Sequence, residues 1–305
     1  MTLFKALVAT FCVSSVLAAK CDLNVSVNNF VGTISSSVQA VSHSITISRS
    51  RNAAQCEVIR AFYSTGGAGN YNRMASTSNN SIPYNLYSDS NMATVLKDVS
   101  DATQAGEYSV INLPVRYNSY QSNFYIKQVD LDTVFSSGSG YFGDNIQISF
   151  YSIKNNGQLE YETTAYFYLQ LVVPRYAELS LVPLGSPHDP NSTQYIMNFG
   201  NLTSQDVKSA TLNVKGNVGF GVYMTSQNGS LLKNAASSVP YQVKVGPNNY
   251  ASLSNAGQET FMFQRNNATS INAESYPIYV KLGNVPINAS TGDYEDVITV
   301  TVKAW

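Results

Sequence analysis

The chain has 305 residues, with 18 Lys and Arg against 19 Asp and Glu and only 12% charged side chains. Nothing gathers positive charge into a phosphate-binding stripe, which excludes nucleic acid as a partner class. Abundant Ser, Asn and Thr, with 21 tyrosines, suit a secreted sheet protein whose solvent-facing positions are neutral and polar.

The opening MTLFKALVATFCVSSVLAAK has Lys5, an apolar core from Ala6 to Leu17, and small residues at Ala18 and Ala19. It reads as a secretory signal peptide, residues 1–19, too short and wrongly flanked for a membrane anchor. No later stretch approaches a spanning helix, so an integral membrane protein is not expected. Cys12 falls in the signal segment, leaving Cys21 and Cys56. In an oxidising compartment these two most simply form one disulfide, closing a loop of about 35 residues and contributing a few kcal/mol. The other reading, a metal or redox pair, lacks a nearby ligand cluster.

Strand signals follow one another along the chain. CDLNVSV (21–27), HSITISR (43–49), NIQISFYS (145–152), ATLNVKG (210–216), PYQVKVG (240–246) and DVITVTV (296–302) alternate apolar with polar residues, with Gly, Asn and Ser between them. Helical candidates are short, such as 91–99, and the fold class is all-β. The pattern is also said twice. GYFGDNIQISF (140–150) aligns with GDYEDVITVTV (292–302), SIPYNLY (81–87) with SVPYQVK (238–244), CDLNVSV with AELSLVP (177–183), and NFVGTI (29–34) with NFGNL (198–202). Two diverged sheet domains result, 20–172 and 173–305, each long enough to bury a core of its own.

The copies differ after their aligned last strands. The first runs through the turn KNNGQ into LEYETTAYFYLQLVV, where Leu159, Tyr161, Ala165, Phe167, Leu169 and Leu171 share one face with Thr163. This is one more core-facing strand, and the second copy has no counterpart. An absent closing strand leaves unpaired backbone groups beside an apolar groove, a vacancy that an extended segment of another chain can fill. The groove is expected to be lined by Ile298, Val300 and Val302, the more uniformly apolar set; the opposite set is Val297, Thr299 and Thr301. Local closure by YAELSLV (176–182) is the alternative.

The closing GDYEDVITVTV, the VPYQV segment after SQNGSLL, and the N-terminal Cys followed by an alternating strand and NF resemble the spore coat protein U domain, the subunit domain of archaic chaperone-usher pili. The resemblance covers both halves. It departs from the pattern in the second copy, where Ala177 stands in the place of Cys21. It implies two tandem immunoglobulin-like β-sandwich domains, the second incomplete and needing a donor strand. The implied partners are a periplasmic pilus chaperone, an outer-membrane usher and an adjacent pilus subunit donating its N-terminal strand. Cys21 follows the expected cleavage site too closely to leave a donor arm, which points to the two-domain tip adhesin. Export through the periplasm to the cell surface, attachment and biofilm formation follow from that resemblance. The alternative is a non-adhesive structural fibre subunit or secreted coat-like protein.

A surface-binding role for the first domain, toward a host or abiotic surface, would fall on loops held by rigid sheets. FYSTGGAGNYNRMAS (62–76) offers Tyr71 and Met74, and YNSYQSNFYIKQVDL (117–131) offers Tyr117, Tyr120, Phe124 and Tyr125. Ordinary strand packing is the alternative for each ring. No catalytic site, cofactor or metal is expected. Gly66, Gly67 and Gly69 lack the spacing of a nucleotide loop, His43 and His188 are isolated, and no GxSxG elbow occurs. Asp144 and Asp296 recur at matching positions, which turn capping or strand alignment explains.

Overall fold

Alternation sets each strand's parity. In QAVSHSITISR, Ile45 and Ile47 point inward and are fully buried while Thr46 and Ser48 face out. The computed structural model describes residues 21–49, 56–113, 119–154, 156–253 and 255–305. The expected signal segment and Tyr117 lie outside them.

Strands β1 (Leu23–Val27), β2 (Phe30–Thr33), β3 (Gln39–Arg49), β4 (Val58–Tyr63), β5 (Met74–Ser76), β6 (Ser81–Tyr87), β7 (Ser109–Asn112), β8 (Ser119–Gln128), β9 (Gly140–Ile153) and β10 (Leu159–Val173) form a ten-stranded system. One layer runs β1-β3-β8-β6, and the other runs β7-β4-β9-β10-β2, with β5 joining β6 to β9. Strands β11 (Ala177–Val182), β12 (Val207–Gly216), β13 (Phe220–Ser226), β14 (Leu231–Lys233), β15 (Ser238–Val245), β16 (Thr260–Arg265), β17 (Glu274–Leu282) and β18 (Ile298–Ala304) follow. They make a five-stranded sheet, β11-β12-β17-β15-β14, and a three-stranded sheet, β16-β13-β18.

The two systems correspond strand by strand. The order β1-β3-β8-β6-β5 is repeated as β11-β12-β17-β15-β14, and β7-β4-β9 as β16-β13-β18. SIPYNLY forms β6 and SVPYQVK lies in β15, in equivalent places. The protein is thus all-β, with tandem immunoglobulin-like sandwiches, each curled into an open half-barrel around its own core. The first core joins Ile45, Ile47, Phe124 and Ile126 to Ile146, Ile148, Phe150, Phe167 and Leu169. The second centres on Leu212, Val214, Phe220, Val222, Tyr241 and Val243. Asn217 holds the segment that connects the two systems, accepting from Tyr176 N at 2.9 Å and donating to Pro174 O at 2.9 Å.

Cys21 and Cys56 are disulfide-bonded with Cα atoms 5.6 Å apart, which fastens the entry of β1 to the entry of β4. One expectation needs correction. The register of β10 against β9 shifts between Tyr161 and Thr163, so the two residues do not share a continuous face, and Tyr161 is exposed. The same irregularity aims Glu162 at Cys21 N, 2.9 Å, and Ser152 Oγ, 2.6 Å.

Candidate strand-accepting groove

In the first domain β9 is hydrogen-bonded on both sides, to β4 and to β10. Across the β10 ladder Phe167 stands opposite Ile146, Ala165 opposite Ile148 and Thr163 opposite Phe150. The three β9 residues are 0% exposed. In turn, β2 runs parallel to β10 from Leu169↔Phe30 to Val172↔Thr33. Two strands therefore lie beyond β9.

Nothing lies beyond β18 among the described residues. It pairs with β13 from Phe220↔Ala304 to Ser226↔Ile298, and its other edge carries unpaired backbone groups. Ile298, Val300 and Val302 pack on the second core but are only half-buried, whereas Val297 is exposed. The repeat places Ile298 and Val300 where Ile146 and Ile148 sit. The difference in burial is what a missing β10 produces, because β10 supplies both the second hydrogen-bond ladder and the side chains that cover the inward row.

Half-buried Leu179 and Leu181 on β11, with Met197, Phe199 and Leu202, continue this incompletely covered apolar set. β11 approaches β18 but its hydrogen bonds go to β12, so YAELSLV does not close the edge. The segment 198–202, aligned with the sequence that forms β2, is not a strand. The reason lies outside the segment: β2 hydrogen-bonds to β10, and among the described residues 198–202 has no such strand to join.

Asp144 and Asp296 do more than cap turns. Each carboxylate accepts from a tyrosine in the opposite layer: Tyr84 OH reaches Asp144 at 2.7 Å, and Tyr241 OH reaches Asp296 at 2.6 Å. Tyr84 and Tyr241 occupy the same place in SIPYNLY and SVPYQVK. Burial, then the hydrogen bond to the aspartate, push both phenols above their ordinary range. Asp296 also accepts from Ser226 Oγ (2.6 Å), Asn228 N (3.0 Å) and Val297 N (2.8 Å), fixing the entry to β18. The signal was present in the repeated tyrosine but was legible only once the strands were paired.

The proposed binding rings do not gather at one loop tip. Residues 119–128 are strand β8, not loop, and Phe124 is fully buried against His43, Tyr63 and Phe167, so its ring belongs to the core. Tyr125 is half-buried on the same strand, and Tyr120, near the start of β8, is exposed. Tyr71 is half-buried, and its hydroxyl donates to Asp101 and accepts from Asp98 N, both at 2.8 Å. Burial first, opposed by the Asp98 N–H and reinforced by the Asp101 carboxylate, pushes that phenol up to about 12. It braces two loops. Met74 is half-buried on β5. Among the described residues no group of three or more His, Cys, Asp or Glu side chains could hold a metal, and no helix is long and apolar enough to cross a membrane.

These observations define an all-β protein of tandem immunoglobulin-like units, one with β10 against its penultimate strand and one with that edge open. Residues 7–134 match the Spore Coat Protein U domain. No curated protein matches it. Similar solved structures include the CsuC–CsuE chaperone–tip adhesion subunit pre-assembly complex from archaic chaperone-usher Csu pili of Acinetobacter baumannii, at 13% identity, covering 92% of this chain and 100% of the matched chain with a TM-score of 0.45. The CupB6 tip adhesin of Pseudomonas aeruginosa is 10% identical over 92% of this chain and 94% of its own, TM-score 0.36. CfaE, the adhesive subunit of the CFA/I fimbria of enterotoxigenic Escherichia coli, is 9% identical over 90% and 96%, TM-score 0.32. At these scores the likeness carries no argument about what this chain does.

Proposed function

We propose that the protein is the tip adhesin of an archaic chaperone-usher pilus. Its second domain, 173–305, receives a strand first from the periplasmic chaperone and then from the adjacent subunit, after transfer at the outer-membrane usher. Its first domain, 20–172, is closed by its own β10 and faces outward from the fibre end at the cell surface, where it mediates attachment and biofilm formation.

The observation that carries this reading is the free edge of β18, with Ile298, Val300 and Val302 half-covered at positions that β10 covers in the first domain. An extended segment laid there would gain a ladder of backbone bonds and bury alternate side chains, the strand-addition mode of recognition. The match of residues 7–134 to the Spore Coat Protein U domain supports the pilus setting. Tyr120, the exposed member of the β8 aromatics, stays a candidate for surface contact.

Immunogold labelling of intact pili tests the assignment. A single label at the distal end, with loss of attachment on deletion of the gene, is the expected result. Label distributed along the shaft would make the chain a structural fibre subunit, and unchanged attachment would remove the adhesive role.

A further inference from the structure

The outward face of the β9-β10-β2 sheet departs from the usual polar covering. Tyr141 and Tyr166 are each 68% exposed and Tyr168 is 39% exposed. They stand on outward positions because Phe142, Ile146, Phe167 and Leu169 take the inward ones. The cross-strand neighbours are amides: Tyr166 lies opposite Gln147 and Tyr168 opposite Asn145, while Gln170 sits between β9 and β2. No charged side chain occupies an outward position from Tyr166 to Val172 on β10 or from Tyr141 to Gln147 on β9.

Gly143 is part of the arrangement. A Cβ built there would lie 1.9 Å from the Tyr168 hydroxyl and 2.5 Å from the ring carbon that bears it. The Tyr168 ring therefore lies down across the strand at a position only glycine leaves open. A ring in that posture offers its face to solvent, not its edge. The second domain lacks the feature, since the repeat puts Asp293, Glu295 and Val297 where Tyr141, Gly143 and Asn145 stand.

The geometry points to this face as a binding platform for a neutral polysaccharide. Sugar rings present C–H faces that stack on tyrosine, and hydroxyl groups that pair with amides and phenols. Covering the same face with a purely apolar surface would desolvate the Asn145 and Gln170 amides, and the Gln147 amide beyond its one bond to Ser149 Oγ, without giving them new partners. An open, extended sheet surface suits a polymer chain more than a single terminal sugar. The inference names a ligand for the attachment role proposed above and rests on that reading for its setting, but binding itself does not require a pilus.

Affinity electrophoresis of the full mature chain through gels containing laminarin, hydroxyethylcellulose, mannan or dextran tests it, with alginate as the charged control and polystyrene beads as the apolar one. Retardation by at least one neutral glycan, insensitive to salt, is expected. Tyr141→Ala and Tyr166→Ala should each weaken it roughly tenfold. Gly143→Ala should weaken it while removing no ring. Unchanged thermal unfolding of the tyrosine variants establishes that they are folded, since both rings are largely exposed. No retardation by any of the four, retardation that survives the variants, or variant-sensitive adsorption to polystyrene alone would overturn the proposal. Loss of glycan binding with distal pilus labelling intact would leave the tip assignment standing.

Discussion

Replacing Tyr241 with Phe removes one of four hydrogen bonds to Asp296. The carboxylate keeps Ser226 Oγ, Asn228 N and Val297 N, so it is not orphaned, and the loss is that of one charge-assisted bond, about 2 kcal/mol. For a unit of this size that lowers the unfolding temperature by about 7 °C. Trp305, the only tryptophan of the chain, donates its backbone N–H to Gly219 O at 3.1 Å and packs its ring on Gly219 and Gly221. Its fluorescence thus follows the second domain alone. The Tyr241 phenol is raised above its ordinary 10.0 in the folded protein, so folding favours its protonated form. Its contribution is complete below pH 10 and falls as pH rises above that value. Denaturant titrations followed by Trp305 should show the variant less stable at neutral pH and converging with the parent above pH 10. A difference under about 0.5 kcal/mol at neutral pH, or one that grows with alkalinity, would refute the latch between the layers.

Phe124→Ser should cost about 4 kcal/mol in the first domain, as a large ring lost from a packed core, whereas Tyr120→Ser should fall within about 0.5 kcal/mol; circular dichroism melts distinguish them. Replacing Cys21 and Cys56 together by Ser should destabilise the first domain by about 3 kcal/mol and leave the Trp305 transition where it was.

Period-two alternation made the sheets and their duplication readable, and SIPYNLY and SVPYQVK occupy equivalent strands as their alignment implies. Alternation gives parity but says nothing of which parity faces a core. Phe124 and Tyr125 look alike in sequence, yet only the first is sealed by His43, Tyr63 and Phe167. The Tyr141, Tyr166 and Tyr168 face was missed for the same reason, because outward and inward aromatics alternate in AYFYLQ. A bulge at Tyr161 breaks the parity altogether. Segment 198–202 shows a further limit: it carries a sequence related to β2, but strand formation there depends on a partner outside the segment. By contrast, the inward parity of Ile298, Val300 and Val302 was legible, because the first copy displays the same strand with its cover in place.

Hydrogen exchange of the full chain, with and without a synthetic peptide of residues 159–173, tests the open edge most directly. That peptide already makes the required antiparallel ladder with β9, so it should occupy the equivalent place on β18. Slowed exchange is expected in 298–304 at the amides facing away from β13, with new protection at 198–202 as that segment gains a strand to pair with. Protection of those amides already complete without peptide, or unaltered at saturating peptide, would show that β18 has no vacancy to fill.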